Sequence, residues 1–249
     1  NQVTVVQSAP RISSMCVHYE RIFATDSRQK NAVWFSDDFD PTNWSVDLES
    51  GGFVKFADEC GNVLKVVSFL DYVYIFREHG IFRLSAYAEQ TEFIVSKVFA
   101  STGRIYADTI SQYGDKIVFF ADDGLYLFNG FDVQRIAHDL PDVEYKSRAV
   151  GVCFRDKYYM CCRFSDYVDA QNAGWTNNSL LELDLMTGLF SIVRGVDVKN
   201  LVAVNVHHQS GVLAVCGGGM GALTRFLGKI EKSGRSFSQP TEKHWESPC

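Results

Sequence analysis

The sequence lacks long apolar runs, helical periodicity and an excess of basic residues. No run approaches the roughly 20 apolar residues that a membrane-spanning helix needs, so we expect no membrane partner. The 24 Lys and Arg residues are scattered and are outnumbered by 30 Asp and Glu residues, which gives a net charge of -6. Proteins that grip nucleic acid concentrate basic residues on one face, so a general nucleic-acid-binding role is not expected.

The seven cysteines are odd in number and lie mostly in apolar runs such as residues 158–162. This pattern predicts buried thiols in a reducing compartment rather than a disulfide framework. The adjacent Cys161 and Cys162 point to opposite faces of a strand, so they cannot easily share a metal ion. We therefore predict no zinc site.

Two segments of the chain, residues 71–84 and 115–128, superpose without a gap at an offset of 44 residues (115 − 71). Each begins with an aromatic and β-branched run, continues through a turn that contains Gly80 or Gly124, and ends with a second such run. This pattern predicts a β-hairpin in each segment, with the glycine at positive φ.

Three further hairpins fit the same spacing. The first pairs residues 21–25 with 32–36, the second pairs 157–164 with 180–185 across a longer insertion, and the third spans 212–226 with Gly221 near its turn. Hairpins at intervals of roughly 40 to 50 residues are typical of four-stranded propeller blades. We predict an all-β, β-propeller-like single domain over residues 1–249 with about five to six blades of antiparallel strands; a β-sandwich is the alternative.

Residues 21–25, 31–44, 63–84 and 101–130 carry a resemblance to a known family. Their strand and turn pattern resembles bacteriophage virion proteins related to the tail-hub, or packaged-DNA stabilisation, proteins of short-tailed phages. The resemblance covers roughly residues 20–190. It implies a propeller-like connector, hub or nozzle ring of several copies that extends the DNA channel and contacts portal, adaptor or tail proteins. The implied location is the virion, assembled in the host cytoplasm.

The last 21 residues, 229–249, read as a polar tail that ends in Trp245 and Cys249. In the family that the chain resembles, a similar segment opens a further β region after the propeller. We therefore expect residues 229–249 to lead into a β region that lies outside this chain.

Residues 36–44 approximate the Asp-box turn of sialidase propellers, in which an Asp accepts backbone N–H bonds and a Trp packs beneath. This predicts a structural turn. The alternative is a calcium site, since Asp37, Asp38, Asp40 and Asn43 offer oxygen ligands, although the EF-hand spacing is absent.

Three other features of the sequence resemble catalytic or cofactor-binding motifs. Residues 217–222 match a dinucleotide fingerprint, but no helix and second parallel strand can follow in the remaining chain. The adjacent His207 and His208 near Ser210 would face opposite sides of a strand, and Asp122-Asp123 reads as a hairpin turn. We therefore predict no catalytic, cofactor-binding or metal-binding residues and no enzymatic activity. The alternative function is a glycan-binding or glycan-cleaving, sialidase-like propeller used for host recognition.

Overall fold

A computed structural model of the chain describes residues 5–47, 50–87, 89–206, 209–216, 223–228 and 242–244. Of the described residues, 53% lie in strands and 6% in helices, which confirms the prediction of an all-β protein. The described helices are 3-10 turns of three residues each: η1 (Gln90–Glu92), η2 (Ala107–Thr109), η3 (Lys146–Arg148) and η4 (Ser165–Tyr167). None of the helices in these ranges is long and apolar enough to cross a membrane.

The chain divides into two compact units, one formed by residues 1–107 and 130–132 and the other by residues 108–129 and 133–249. We call them the N-terminal and the C-terminal unit. The prediction of a single domain over residues 1–249 stays a prediction.

The N-terminal unit contains two four-stranded antiparallel sheets in which consecutive strands are neighbours. The strands of sheet 1 are β1 (Ile12–His18), β2 (Arg21–Asp26), β3 (Ala32–Phe35) and β4 (Gly52–Lys55). The strands of sheet 2 are β5 (Val63–Phe69), β6 (Tyr72–Arg77), β7 (Gly80–Ser85) and β8 (Ile94–Ala100).

The C-terminal unit contains three antiparallel sheets. The strands of sheet 3 are β9 (Ser111–Tyr113), β10 (Lys116–Ala121), β11 (Gly124–Phe128) and β12 (Val133–Ile136). The strands of sheet 4 are β13 (Val143–Glu144), β14 (Val150–Phe154), β15 (Lys157–Phe164), β16 (Ser179–Asp184), β17 (Phe190–Arg194) and, added beyond β17, the distant β21 (Glu242–His244). The strands of sheet 5 are β18 (Val198–Val206), β19 (Gln209–Cys216) and β20 (Leu223–Gly228).

The sequence repeat is a repeat of strand register. Val73 pairs with Leu84 across the β6–β7 hairpin, and the pair 44 positions later, Ile117 with Phe128, occupies the same place in the β10–β11 hairpin. The hairpins β2–β3, β15–β16 and β19–β20 also form as predicted, although Gly221 lies outside the described residues.

The two turn glycines of the repeat differ in backbone conformation, and the prediction of a positive φ is wrong for Gly80. Gly124 has a φ of 145°, as expected, but Gly80 is not at positive φ. A Cβ on Gly80 would instead lie 2.7 Å from the backbone oxygen of Phe99 in the neighbouring strand β8. Gly80 is therefore required by close strand approach rather than by backbone conformation.

Each unit buries its own apolar core. In the N-terminal unit, β1 packs beside β5, and the sheets bury Phe23, Phe35, Val66 and Ile75 between them. Polar contacts align the two strands, since the backbone N–H of Val66 donates to Ser14 Oγ at 3.3 Å.

In the C-terminal unit, β9 packs beside β14 and β14 packs beside β18. The cluster between sheets 4 and 5 includes Val152, Cys161, Leu180, Val198 and Val212. Such face-to-face packing of strand pairs buries the alternate side chains of both sheets.

Three buried arginines, Arg21, Arg77 and Arg163, attach loops to strands. Arg77 is 1% exposed and donates to the backbone oxygen of Gly61 from Nε at 3.1 Å and from Nη2 at 2.5 Å. Its Nη1 pairs with Asp58 Oδ1 at 2.5 Å. These bonds satisfy loop carbonyl groups that would otherwise be buried without a partner.

Candidate functional site

The candidate interaction surface of the N-terminal unit is one face of sheet 1. Successive side chains of a strand point to opposite faces of the sheet. One face of sheet 1 packs against sheet 2, and the other face, which points away from sheet 2, carries five large apolar side chains. These are Met15, Val17, Ile22, Trp34 and Phe53, and we call this surface the outer face of sheet 1. Met15 is 64% exposed, Val17 67% and Phe53 38%.

The apolar residues form a continuous row across the four strands. Val17 pairs with Ile22, Met15 pairs with Ala24, and Trp34 lies between Ala24 and Phe53 in the register. The rings of Trp34 and Phe53 contact each other, with centroids 4.9 Å apart.

An antiparallel sheet with one face in water normally carries polar residues on that face. Sheet 1 departs from this rule, because Met15 and Val17 alternate with Cys16 and His18, which face sheet 2. Ile22 and Trp34 are half-buried on this face, and the exposed Lys55 lies beside Phe53 on β4. Exposed apolar side chains that lie together are candidates for an interaction site.

His18 fixes the end of β1 against sheet 2. Its Nδ1 lies 2.9 Å from Ser68 Oγ, and the side chain is buried. Burial lowers the pKa of His18 below its ordinary value of 6.5, although the nearby Asp71 and Glu20 favour the charged form. The strand that presents Met15 and Val17 is therefore held by a neutral buried histidine.

An apolar recess of about 330 Å³ lies at the edge of the same sheet, beside β4. Its lining includes Phe35 and Phe93, whose ring centroids are 5.1 Å apart. The side chain of Gln90 closes part of the rim by donating from Nε2 to the backbone oxygen of Asp47 at 2.7 Å. The recess offers shape and apolar area, and the polar side chains of its lining belong to Asp47, Gln90 and Thr91.

A charged cleft of about 220 Å³ lies in the C-terminal unit, lined by Asp122, Asp123 and Lys146 among others. Lys146 Nζ donates to the backbone oxygen of Asp122 at 2.6 Å, and the Tyr126 hydroxyl donates to Asp123 Oδ2 at 2.6 Å. Burial, followed by the bond to Asp123, raises the pKa of Tyr126 to about 12. Asp122-Asp123 forms the turn between β10 and β11, as predicted, and the Asp123 carboxylate is used within that hairpin.

The Asp-box segment is a structural turn, as predicted. Asp37 accepts from its neighbour Asp38 N–H at 2.9 Å and from Asn43 Nδ2 at 3.0 Å, while Asp40 accepts from the Thr42 N–H at 2.9 Å. Trp44 is buried beneath the turn. Within the described ranges, no group of three or more His, Cys, Asp or Glu side chains is placed to hold a metal ion.

The cysteines of the described residues behave as the sequence predicts. Cys16, Cys60, Cys153, Cys161 and Cys162 are free thiols, four of them buried. Burial raises the pKa of both Cys16 and Cys153 to about 12. Thiols with such pKa values are poor nucleophiles and poor metal ligands at neutral pH.

Several residues considered from the sequence lie outside the described residues, namely His207, His208, the glycine-rich segment 217–222 and the tail segments 229–241 and 245–249. Ser210 is described and is exposed. Sequence reasoning missed the outer face of sheet 1. The signal was the alternation Met15-Cys16-Val17-His18, which places apolar residues where a one-sided strand would place polar ones.

Comparisons with known proteins give the chain no family. No protein family matches it, and no curated protein is similar to it. Among solved structures, a chain in the complex of S. cerevisiae dbp5 bound to nup159, gle1, ip6 and adp is similar, with a TM-score of 0.43 and 8% identity over 91% of this chain and 76% of that chain. At that TM-score the likeness supports no conclusion about function.

Proposed function

We propose that this chain is a propeller-like structural component of a bacteriophage particle at the neck or tail, a hub, nozzle or connector ring that extends the DNA channel. It acts through its surfaces rather than through catalysis. The observation that carries the proposal is the outer face of sheet 1, where Met15, Val17 and Phe53 are exposed on the side of the sheet that points away from sheet 2. The phage setting rests on the resemblance of residues 20–190.

The sheet topology supports a propeller-like arrangement. Sheets 1, 2 and 3 are four-stranded meanders, and within each unit the first strand of one sheet lies beside the first or second strand of a neighbouring sheet: β1 beside β5, β9 beside β14 and β18 beside β14. Propeller blades are arranged radially around a central channel, which brings early strands of neighbouring blades together. Five sheets agree with a count of five to six blades.

The net charge of -6 suits a protein beside a DNA channel. An acidic wall repels the phosphate backbone, so the genome can pass without binding. The portal, adaptor or tail proteins would then be held by apolar contacts such as the outer face of sheet 1, because interface cores are poor in charged residues.

The test is to analyse purified particles of the source phage by mass spectrometry. We expect several copies of the protein in each particle, and we expect deletion of the gene to give DNA-packaged particles that are unstable or tailless. Within the same genome, Val17→Asp should reproduce the deletion, whereas Tyr87→Asp, at an exposed aromatic position outside sheet 1, should not. Fully infectious particles that lack the protein would refute the proposal.

The glycan-directed alternative predicts exposed Trp or Tyr side chains and convergent carboxylates in one cleft. The charged cleft has Asp122, Asp123 and Asp142 but no Trp or Tyr in its lining. A cleft beside η1 has Tyr87 with one acidic residue, Glu92. Neither arrangement favours the alternative, which a glycan-binding array with the purified protein would test.

A further inference from the structure

His18 is buried at the point where sheets 1 and 2 meet. It is the last residue of β1, which packs beside β5, and it is 4% exposed. Its Nδ1 lies 2.9 Å from the hydroxyl oxygen of Ser68 on β5, so this hydrogen bond joins the two sheets. A second bond between the same strands, from the Val66 N–H to Ser14 Oγ, is longer at 3.3 Å. The shorter of these two bonds therefore depends on a ring that can change its charge near neutral pH.

The other ring nitrogen of His18 is buried without a partner. Among the residues that the structure describes, no donor or acceptor forms a hydrogen bond with Nε2. A neutral imidazole carries one N–H, which Nδ1 can donate to Ser68, and its Nε2 is then an unprotonated acceptor. An imidazolium carries a second N–H at Nε2, and a buried, charged N–H without an acceptor is costly. The contact between the sheets therefore favours the neutral ring.

Aromatic rings and two acidic residues surround His18. Tyr19 and Phe23 face the imidazole edge-on, with ring centroids 4.4 Å and 6.3 Å away. Burial lowers the pKa of His18 below 6.5, although Asp71, through its carboxylate and its backbone, and Glu20 favour the charged ring. Both acidic residues are exposed, so a charged ring that moves toward them also moves toward water.

Two further titratable side chains lie near His18 on the strands of sheet 1. Arg21 is its cross-strand neighbour on β2, and the guanidinium is held by the backbone oxygens of Ser36 and Ser50. As a like charge, Arg21 offers an imidazolium no partner. Cys16 lies on the same face of β1, and burial raises the pKa of its thiol to about 12, so it stays neutral while His18 titrates.

We propose that His18 makes the contact between sheets 1 and 2 sensitive to pH. The neutral ring holds β1 beside β5. When Nε2 takes up a proton, the ring leaves Ser68 and this end of the contact opens, while the C-terminal unit stays folded. The inference concerns the N-terminal unit itself and does not depend on the phage role.

The direction and size of the effect follow from the uptake of one proton. In the open form His18 is in water, where its pKa returns to about 6.5. The population of the open form should therefore be constant above about pH 6.5 and should rise by up to about tenfold for each pH unit below it. The rise should stop once the pH is below the pKa of His18 in the closed form.

Hydrogen exchange of the full chain, followed by mass spectrometry between about pH 5 and pH 8, tests the proposal. After correction for the intrinsic exchange rate, protection of β1 and β5 should fall by up to about tenfold for each pH unit below about pH 6.5. Protection of β10 and β11 in the C-terminal unit should not change. Constant protection of β1 and β5, or an equal loss in all four strands, would overturn the proposal.

Two variants separate His18 from other titrating groups. His18→Asn keeps an amide that can bond Ser68 but cannot take up a proton, so β1 and β5 should keep their protection in acid. His138→Asn, at an exposed histidine of the C-terminal unit, is the matched control and should lose protection as wild type does. A His18→Asn protein that responds to pH as wild type does would refute the role of His18.

A measurement on the wild-type protein keeps the proposal testable if His18→Asn does not fold. Exchange of the imidazole C2 hydrogen, followed by mass spectrometry, reports the protonation of His18 directly. We expect protection of β1 and β5 to be lost over the pH range in which His18 takes up its proton. Loss of protection over a different pH range would overturn the proposal.

Discussion

Gly151 lies on β14 directly beneath a buried tyrosine, and its replacement by alanine is the strongest stability test that the structure offers. A Cβ at position 151 would lie 2.0 Å from the Tyr158 hydroxyl oxygen, 2.6 Å from Cζ and 2.9 Å from Cε2. Tyr158 is 0% exposed, and its hydroxyl donates to the backbone oxygen of Thr109 at 2.8 Å. The ring cannot move outward without breaking that bond.

The expected loss of stability has two parts. Overpacking a filled core costs about 1–3 kcal/mol, and leaving a buried hydroxyl or carbonyl group without its partner costs about 1–3 kcal/mol. Because a displaced Tyr158 would incur both costs, we expect Gly151→Ala to lower the free energy of unfolding by about 3 kcal/mol. In a chain of this size that corresponds to a fall in Tm of about 6–12 °C.

Gly174→Ala is the matched control, since a Cβ there meets no atom within 4 Å. Urea unfolding of both variants, followed by tryptophan fluorescence, should leave Gly174→Ala within about 0.5 kcal/mol of wild type. Tyr158→Phe removes the closest atom, so Gly151→Ala should cost less in that background than in wild type. Equal stability of Gly151→Ala and Gly174→Ala would refute the packing argument.

Three further predictions concern buried polar groups. Arg77→Met should lower the free energy of unfolding by about 2–3 kcal/mol in urea, because Gly61 loses its donors and Asp58 its ion-pair partner; an unchanged midpoint would contradict this. Cys153 should resist iodoacetamide at pH 8 in the native protein and react after denaturation, as peptide mapping would show, because burial raises its pKa to about 12. The pKa of His18 is lower in the folded chain than its ordinary 6.5. The contribution of His18 to the free energy of unfolding should therefore be fully present above about pH 6.5 and should be lost as the pH falls through the folded-state pKa. His18→Asn should flatten this pH dependence, and identical pH profiles for wild type and His18→Asn would contradict the prediction.

The hairpins could be predicted from the sequence because the residues that determine each hairpin lie close together in the chain. Alternating apolar residues and a glycine turn fix the register of β6 with β7, and a similar pattern 44 positions later fixes the register of β10 with β11. Strand β21 could not be predicted in this way. It pairs His244 with Ile192, which are distant in sequence, and its three residues carry no strand pattern of their own.

Close approaches between elements also escape sequence reasoning. Gly80 and Gly124 occupy equivalent places in the repeat, yet one is required by the backbone oxygen of Phe99 and the other by a φ of 145°. The need for Gly151 arises from Tyr158 on the neighbouring strand. Such requirements depend on which atoms come into contact in the completed fold, and a single sequence does not specify those contacts.

Sheets 2 and 4 carry features at their outer edges that prevent pairing with other strands. The outer edge of sheet 2 is β8, which carries the exposed Lys97 and a register shift at its partner residues Ile81 and Phe82. The outer edge of sheet 4 is covered, because β21 pairs with β17. Charges, bulges and added strands are the means by which sheet proteins prevent unspecific edge pairing.

The outer face of sheet 1 carries the exposed Lys55 at its β4 edge, whereas its β1 part is apolar. Met15, Val17 and Phe53 are exposed there, and a lysine or glutamate at Met15 or Val17 would cost nothing in the packing of β1 on β5, because both side chains point away from sheet 2. Exposed apolar side chains at these two positions are consistent with the proposed role in assembly. A partner with an apolar surface would bury the methionine, valine and phenylalanine and so make association favourable, whereas a polar partner would not.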